Sequence, residues 1–374
     1  MKENPFTNIL ATCSFGLEGV LADELRTLGM EDVSASDARV TFSGGWNEAA
    51  KANMHLRTAD RVYLVLGQFP ATTFDELFEG VRALPWETIL RKDSAFPVRG
   101  KAVHSKLFSV SDVQSISKKA VVERLKKAYH VDWLQETGAS YTIDIALLKD
   151  IATVSIDTSG QGLNRRGYRT QGVEAPLREN LAAGLILLSR WKHDRPLLDP
   201  FCGSGTIAIE AAIMATNTAS GLLRSFAMES FTQSDPVYWK QLRAEAKSLV
   251  LPDKPIIHAS DSDPDAISIA RQNAKRAGVT DKIQFSVAPV LTVKPVGEGG
   301  TIVTNPPYGE RMGDLKEVHK ACKGLGELYR EASGWQCCAI SAFPEFERWF
   351  GKRADKKRKL YNGNMKCDYY MYFK

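Results

Sequence analysis

Residues 197–212 read LLDPFCGSGTIAIEAA. An apolar run too short for a helix ends in Asp199, a turn carries Gly203 and Gly205, and an apolar helical pattern begins near Thr206. Few folds accept such a step. Glycine lets backbone come close to a ligand, and the first N–H groups of the helix have no partners within it. The step suits a parallel α/β sheet, in which ligands bind outside the carboxyl ends of the strands. It lacks the GxGxxG spacing of a dinucleotide site and the lysine of a P-loop, so nucleoside triphosphates are disfavoured.

The same grammar continues along the C-terminal half. Pro176 opens an amphipathic helix over LRENLAAGLILLSRW, and short apolar strands then alternate with helices. Strands are expected at 196–199, 254–261, 283–287, 301–304 and 337–342, with helices from Thr206 and over Pro264–Ala277. That alternation predicts a doubly wound sheet. Two late strands joined by Gly363-Asn364 are expected to close it as an antiparallel hairpin at one end. Asp261 stands at a strand end, where an acid accepts hydrogen bonds from ribose hydroxyls. Asp263 before Pro264 reads as a helix N-cap followed by proline at the first helical position. The third segment, TIVTNPPYGER at 301–311, delivers Asn305, Pro306, Pro307 and Tyr308 to the same sheet edge. The prolines fix φ, and the Asn305 amide oxygen and Pro306 carbonyl are both acceptors. Two acceptors on an exocyclic amino group can aim its lone pair at an electrophile, and Tyr308 offers a ring for stacking a base.

The first 160 residues follow other rules. A helical apolar spacing over 17–28 stops at Gly29. Strands are expected at 38–43, 62–69, 95–103, 140–148 and 151–157, with helices at 73–84 and 112–129. This mixture predicts an α+β module. GQGLNRRGYRTQG, 160–172, has no periodicity and reads as a linker. Charge is uneven: residues 1–50 hold three basic and eight acidic side chains, whereas 99–127 hold eight basic and two acidic. Six of the eight residues from Lys352 to Lys359 are also basic. Clustered positive charge attracts phosphate by counterion release, which makes a nucleic acid a plausible partner. Six cysteines without a CxxC pair argue against a disulfide framework or a zinc ribbon, and the histidines suggest no metal site. No apolar run approaches the ~18 residues of a membrane span, and the N-terminus lacks a signal-peptide stretch. The expectation is a reduced, cytoplasmic protein.

Together, 197–212, 259–279 and 301–311 resemble motifs I, II and IV of the class I S-adenosylmethionine-dependent methyltransferases, and NPPY is similar to the signature of those that methylate amino nitrogens. The segments 160–187 and 220–231 (SGLLRSFAMESF), with KAVHSKLFSVSDVQSISKKAV at 101–121, resemble the THUMP-domain RNA methyltransferases, especially the bacterial enzymes that make N2-methylguanosine in 23S ribosomal RNA. The resemblance covers nearly the whole chain. It implies a ferredoxin-like segment (1–65), a THUMP RNA-binding module (66–160), a linker (161–175) and a Rossmann-like methyltransferase domain (176–374). It implies S-adenosylmethionine as cofactor, held by Asp199, Phe201, Gly203, Gly205, Thr206, Asp261 and Asn305, with Asn305, Pro306, Pro307 and Tyr308 at the reacting amino group. RNA is expected on Lys101, Lys106, Lys118, Lys119, Arg124, Lys126 and Lys127. The substrate would be ribosomal RNA or an assembly intermediate, with no membrane or metal. In this superfamily the third strand usually ends in an acid beside adenine; here Ile283–Val287 runs into Ala288-Pro289, and the adenine contact has no assigned side chain. An adenine-N6 methyltransferase would use the same NPPY chemistry, as would a glutamine-N5 protein methyltransferase, and a catalytically silent ribosome-assembly factor is the alternative from another class.

Overall fold

The computed structural model describes residues 8–169, 177–252, 255–308 and 315–373. Pro176, residues 170–175 of the expected linker, Lys254 and the last three residues of the 301–311 segment lie outside them. The N-terminal half holds β1 (Asn8–Cys13), α1 (Glu18–Thr27), β2 (Glu31–Ser36), β3 (Arg39–Ser43), α2 (Trp46–His55), β4 (Ala59–Pro70), α3 (Phe74–Ala83), β5 (Val98–Val103), α4 (Val110–Tyr129), β6 (Ile143–Leu148) and β7 (Ile151–Asp157). The C-terminal half holds α5 (Glu179–Ser189), β8 (Leu197–Asp199), α6 (Thr206–Ala215), α7 (Pro236–Ser248), β9 (Ile257–Asp261), α8 (Pro264–Ala277), β10 (Ile283–Val287), β11 (Thr301–Thr304), α9 (Leu315–Glu331), β12 (Gln336–Ser341), α10 (Phe346–Phe350), β13 (Lys356–Asn362) and β14 (Met365–Tyr372).

The N-terminal strands make one seven-stranded sheet in the order β2-β3-β1-β4-β7-β6-β5. Every pair is antiparallel except β5 with β6. The twelve-residue β4 joins its halves, pairing with β1 along one edge and β7 along the other. A register shift between Val65 and Gly67 interrupts the pairing with β7.

The C-terminal sheet also has seven strands, ordered β10-β9-β8-β11-β12-β14-β13. It is parallel from β10 to β12, and the β13–β14 hairpin closes one end antiparallel as expected. β8 and β11 are buried along their whole length, as parallel strands covered by helices on both faces must be. The order reverses between β8 and β11, and that switch point opens a crevice at the carboxyl ends of the strands. Asp263 caps α8 as read from the sequence, its Oδ1 accepting from the Asp265 N–H at 2.8 Å.

The two halves share one apolar core. Gly184 of α5 permits it: a Cβ there would lie 2.7 Å from Leu17 Cδ1 at the head of α1. Asn180 Nδ2 donates to Asp60 Oδ1 at 2.7 Å, and Arg57 Nη2 to the Thr218 carbonyl at 3.0 Å. The 220–231 segment acts as a clasp. Phe231 stacks on Tyr141 with centroids 4.1 Å apart. Arg224 donates to the carbonyls of Gln161 and Gly162, both at 2.6 Å, and burial beside Arg166 and Arg61 lowers its pKa to about 10. Residues 160–169 of the connecting segment are therefore no loose tether. Arg166 and Tyr168 are buried, and both bind the buried Glu210 of α6: Arg166 Nη2 lies 3.4 Å from Oε2, and the Tyr168 hydroxyl donates to Oε1 at 3.0 Å. A buried arginine with a paired carboxylate is costly to disturb on one side only.

Candidate cofactor and substrate site

The crevice at the switch point is a cavity of about 540 Å³. Asp199, Phe201, Gly203, Thr206, Asp261, Asn305 and Pro307 all line it. Three sequence segments more than forty residues apart thus meet because β8, β9 and β11 are neighbours in the sheet. Gly203 and Gly205 both have positive φ, +49° and +83°. A Cβ on Gly203 would meet nothing within 4 Å, so its face is open to the cavity, whereas one on Gly205 would lie 3.0 Å from Ala270 Cβ. The first glycine leaves room for a ligand; the second packs α6 against α8.

Asp261 stiffens this turn. Its Oδ2 accepts from the Gly203 N–H at 2.9 Å and its Oδ1 from the Asp263 N–H at 3.1 Å. Each carboxylate oxygen keeps a further lone pair for a ligand hydroxyl. Asp199 is buried, and its Oδ1 accepts from Thr304 Oγ1 at 2.7 Å and from the Phe201 N–H at 3.3 Å. Its Oδ2 is buried with no hydrogen-bond partner. An unpaired buried oxygen is expensive, and this one sits on a cavity wall. Burial pushes the Asp199 carboxyl up to about 7; the Thr304 and Phe201 bonds oppose the rise and Asp261 adds to it. A cationic ligand atom beside Oδ2 would reverse that shift. Burial and the same two carboxylates push the Cys202 thiol far up, so it is no nucleophile.

Asn305 and Pro307 face the cavity, while Pro306 is buried and does not line it. Tyr308 is half-buried, and its hydroxyl accepts from Asn362 Nδ2 at 3.5 Å. Beyond β10, Pro289, Val290 and Leu291 supply an apolar wall where the expected acid is missing, and the Ala288 N–H is spent on the Asp261 carbonyl at 2.9 Å. Leu291 is 51% exposed, an apolar side chain left open at a strand end. Glu317 and Lys320 of α9 also line the cavity. The sequence reading missed these residues. An apolar VLT after Ala288-Pro289 was the only signal, and nothing in an amphipathic helix marks which polar residues face a ligand.

The basic residues expected to meet RNA are placed unevenly. Lys118 pairs with Glu136 at 2.9 Å, Arg124 Nε donates to Glu87 at 3.0 Å, and Lys101 lies 3.8 Å from Asp144. Lys119 lies over the Phe78 ring. Lys106 and Lys127 are exposed and Lys126 half-buried. Among the described residues no group of histidines, cysteines and carboxylates could hold a metal ion, and no helix is long and apolar enough to cross a membrane.

Comparison with known proteins adds to this geometry. Residues 166–371 match the family model described as "RMKL-like, methyltransferase domain", residues 8–63 the RlmL ferredoxin-like domain and residues 71–157 the THUMP domain. A Bacillus subtilis protein named "Putative RNA methyltransferase YpsC" is 44% identical over 98% of this chain and 95% of its own length. The ribosomal RNA large subunit methyltransferase K/L of Syntrophotalea carbinolica is 36% identical over 96% of this chain but only 52% of its own length. The chain thus spans about half of that relative. Among solved structures, SMU.472 complexed with S-adenosylhomocysteine superposes with a TM-score of 0.93 at 42% identity, covering 100% of this chain and 99% of that one. A "predicted N6-adenine-specific DNA methylase" from Listeria monocytogenes superposes with a TM-score of 0.93 at 43% identity, covering 98% and 96%.

Proposed function

Because the chain belongs to the RMKL-like methyltransferase family, in its form with ferredoxin-like and THUMP domains, we propose that it methylates an exocyclic amino nitrogen of RNA, the N2 of a guanine in 23S ribosomal RNA. It is an S-adenosylmethionine-dependent methyltransferase, as its 42%-identical structural relative with bound S-adenosylhomocysteine implies. The residues present suit that cofactor: an open glycine face at Gly203, an unpartnered buried oxygen on Asp199 and a cavity within the ~300–1,000 Å³ range of small-molecule sites.

The observation that carries the reading is the convergence of Asn305 with Asp199, Gly203 and Asp261 on one cavity. S-adenosylmethionine supplies an activated methyl group, so most of the protein's work is positioning. Asp261 holds the ribose hydroxyls; the Asp199 Oδ2 receives a cationic end; Val290 and Leu291 flank the adenine with apolar surface. Asn305 accepts from the target amino group, and Tyr308 stacks on the base. The base is flipped out, because a stacked and paired amino group is out of reach. The THUMP module captures phosphate through Lys106, Lys119, Lys126 and Lys127, assisted by Lys101, Lys118 and Arg124. Ribosomal RNA as substrate rests on the K/L relatives.

A second reading, adenine N6, is favoured by the name of the Listeria relative. Nucleoside mass spectrometry of RNA from a deletion strain, before and after treatment with the purified protein, separates the two. Appearance of N2-methylguanosine in 23S RNA supports the first, N6-methyladenosine the second, and no new nucleoside the silent-factor alternative.

A further inference from the structure

The ferredoxin-like segment is acidic over its first fifty residues, so charge gives it no reason to meet RNA. Its β1–α1 loop nevertheless packs on β13, the strand whose last residue, Asn362, contacts Tyr308. Phe15 on that loop is 46% exposed, and its ring meets Tyr361 edge-on with centroids 6.0 Å apart. The next strand residue, Asn362, holds the Tyr308 hydroxyl at 3.5 Å. Lys359 carries its ammonium 5.8 Å from the Tyr361 ring centre and is exposed. Strand β13 thus meets both domains at its end: Tyr361 contacts Phe15, and the adjoining Asn362 contacts Tyr308.

The loop is built to stay there. Gly16 has φ +93°, and a Cβ on it would lie 2.5 Å from the Lys359 carbonyl oxygen, so only glycine lets the loop lie against β13. Glu18 pins both sides, accepting from the Gly16 N–H at 2.9 Å and from the Ala38 N–H at 3.0 Å. A large apolar ring is thereby held open to solvent beside a cation. Aromatic faces alternating with positive charge are the arrangement that binds unpaired nucleotides.

We propose that Phe15, with Tyr361 and Lys359, forms a stacking subsite for the unpaired nucleotide next to the flipped target base, the Lys359 ammonium taking its phosphate. The inference rests on the RNA-methyltransferase reading above and deepens it: the ferredoxin-like domain takes part in substrate positioning rather than in packing alone.

The test is steady-state methyl transfer by the full chain onto ribosomal RNA from a deletion strain, with S-adenosylmethionine affinity and Tm measured in parallel. Phe15→Ala is expected to raise the KM for RNA about tenfold, equivalent to about 1.4 kcal/mol, with kcat, cofactor affinity and Tm unchanged. Phe15→Trp, which keeps a stacking face, is expected to restore wild-type KM, and Phe15→Leu is not. Wild-type KM in Phe15→Ala overturns the subsite while leaving the methyltransferase reading intact. So does a loss confined to Tm and cofactor affinity, which marks Phe15 as structural. Rescue by leucine as complete as by tryptophan overturns stacking. A wild-type protein that transfers no methyl to any RNA overturns the parent reading and the subsite with it.

Discussion

Two sheets of seven strands lie in one chain, and they are built for different work. In the N-terminal sheet β5 alternates half-buried and exposed residues, and β2 is almost wholly exposed. One-sided sheets of this kind leave a face and an edge for solvent or a partner. In the C-terminal sheet β8 and β11 show nothing to solvent. Their chemistry is confined to the strand ends and the residues just past them, Asp199 to Thr206 and Asn305 to Tyr308. One sheet presents a surface; the other presents a rim. The rim is precise because the strands behind it are immobilised on every side, whereas the surface can rely on many weak, interchangeable charges.

If the two parts are one body, breaking the buried contact that anchors the segment between them should cost more than any surface change. Glu210→Ala leaves Arg166 buried without its carboxylate and the Tyr168 hydroxyl without its acceptor. A loss of about 3–5 kcal/mol is expected, read from the urea midpoint. Glu210→Gln, which keeps the tyrosine bond, should lose less. A loss under about 1 kcal/mol would mean that Glu210 does not anchor the connecting segment.

Next is the rim itself. Asn305→Ala is expected to lower single-turnover methyl transfer about 100-fold, or about 2.7 kcal/mol, because its contact strengthens at the transition state. Cofactor affinity, followed by calorimetry, should stay within about threefold of wild type. Equal losses in both would make Asn305 a cofactor ligand only.

The third prediction uses proton linkage. The Asp199 carboxyl, up to about 7 in the fold, has a value near 3.9 in an unfolded chain. Between those values the native state holds a proton that the unfolded state has lost, so stability falls as pH rises through that window. Without cofactor, wild type should lose roughly 2–3 kcal/mol more than Asp199→Asn between about pH 5 and pH 8. Parallel profiles would mean Asp199 is ionised in the native state throughout.

The smallest effect belongs to the surface sheet's module. Lys127→Ala should weaken RNA binding by less than about threefold and reduce the log–log salt slope by roughly 0.7–0.9. Transfer at saturating RNA should not change. A fall in kcat would place Lys127 nearer the chemistry than α4 allows.

The C-terminal half was largely legible in the sequence. Its strands are short apolar runs with a polar end, and burial on both faces leaves few other places for them. The hairpin, the α8 cap and the meeting of Asp199, Gly203, Asp261 and Asn305 were all readable. Helix α7 was overlooked, although Asp235 before Pro236 carries the same cap signal as Asp263 before Pro264; Asp235 indeed accepts from the Val237 N–H at 2.8 Å. The N-terminal half hid more. Helix α2 buries Ala49, Ala50, Ala52 and Met54, and alanines make a weak periodic pattern. Strand β2, EDVSAS, has no apolar alternation and exists by pairing with β3. The packing of residues 160–169 was illegible because arginine and glycine spell a loop until the partner carboxylate of Arg166, forty-four residues away in sequence, is known.

Strand β4 carries a consequence for how such a chain can evolve. It is the last strand of one module's pairing and the first of the next, and its register slips by one residue between Val65 and Gly67 on the β7 side. Side chains alternate along a strand, so a one-residue slip exchanges inside for outside. The slip lets one strand serve two neighbours whose cores are out of phase. Recombination in a loop could not trade the RNA-binding module for another. A donor would have to match strand length, edge and phase together, so the pair should descend as a single heritable unit.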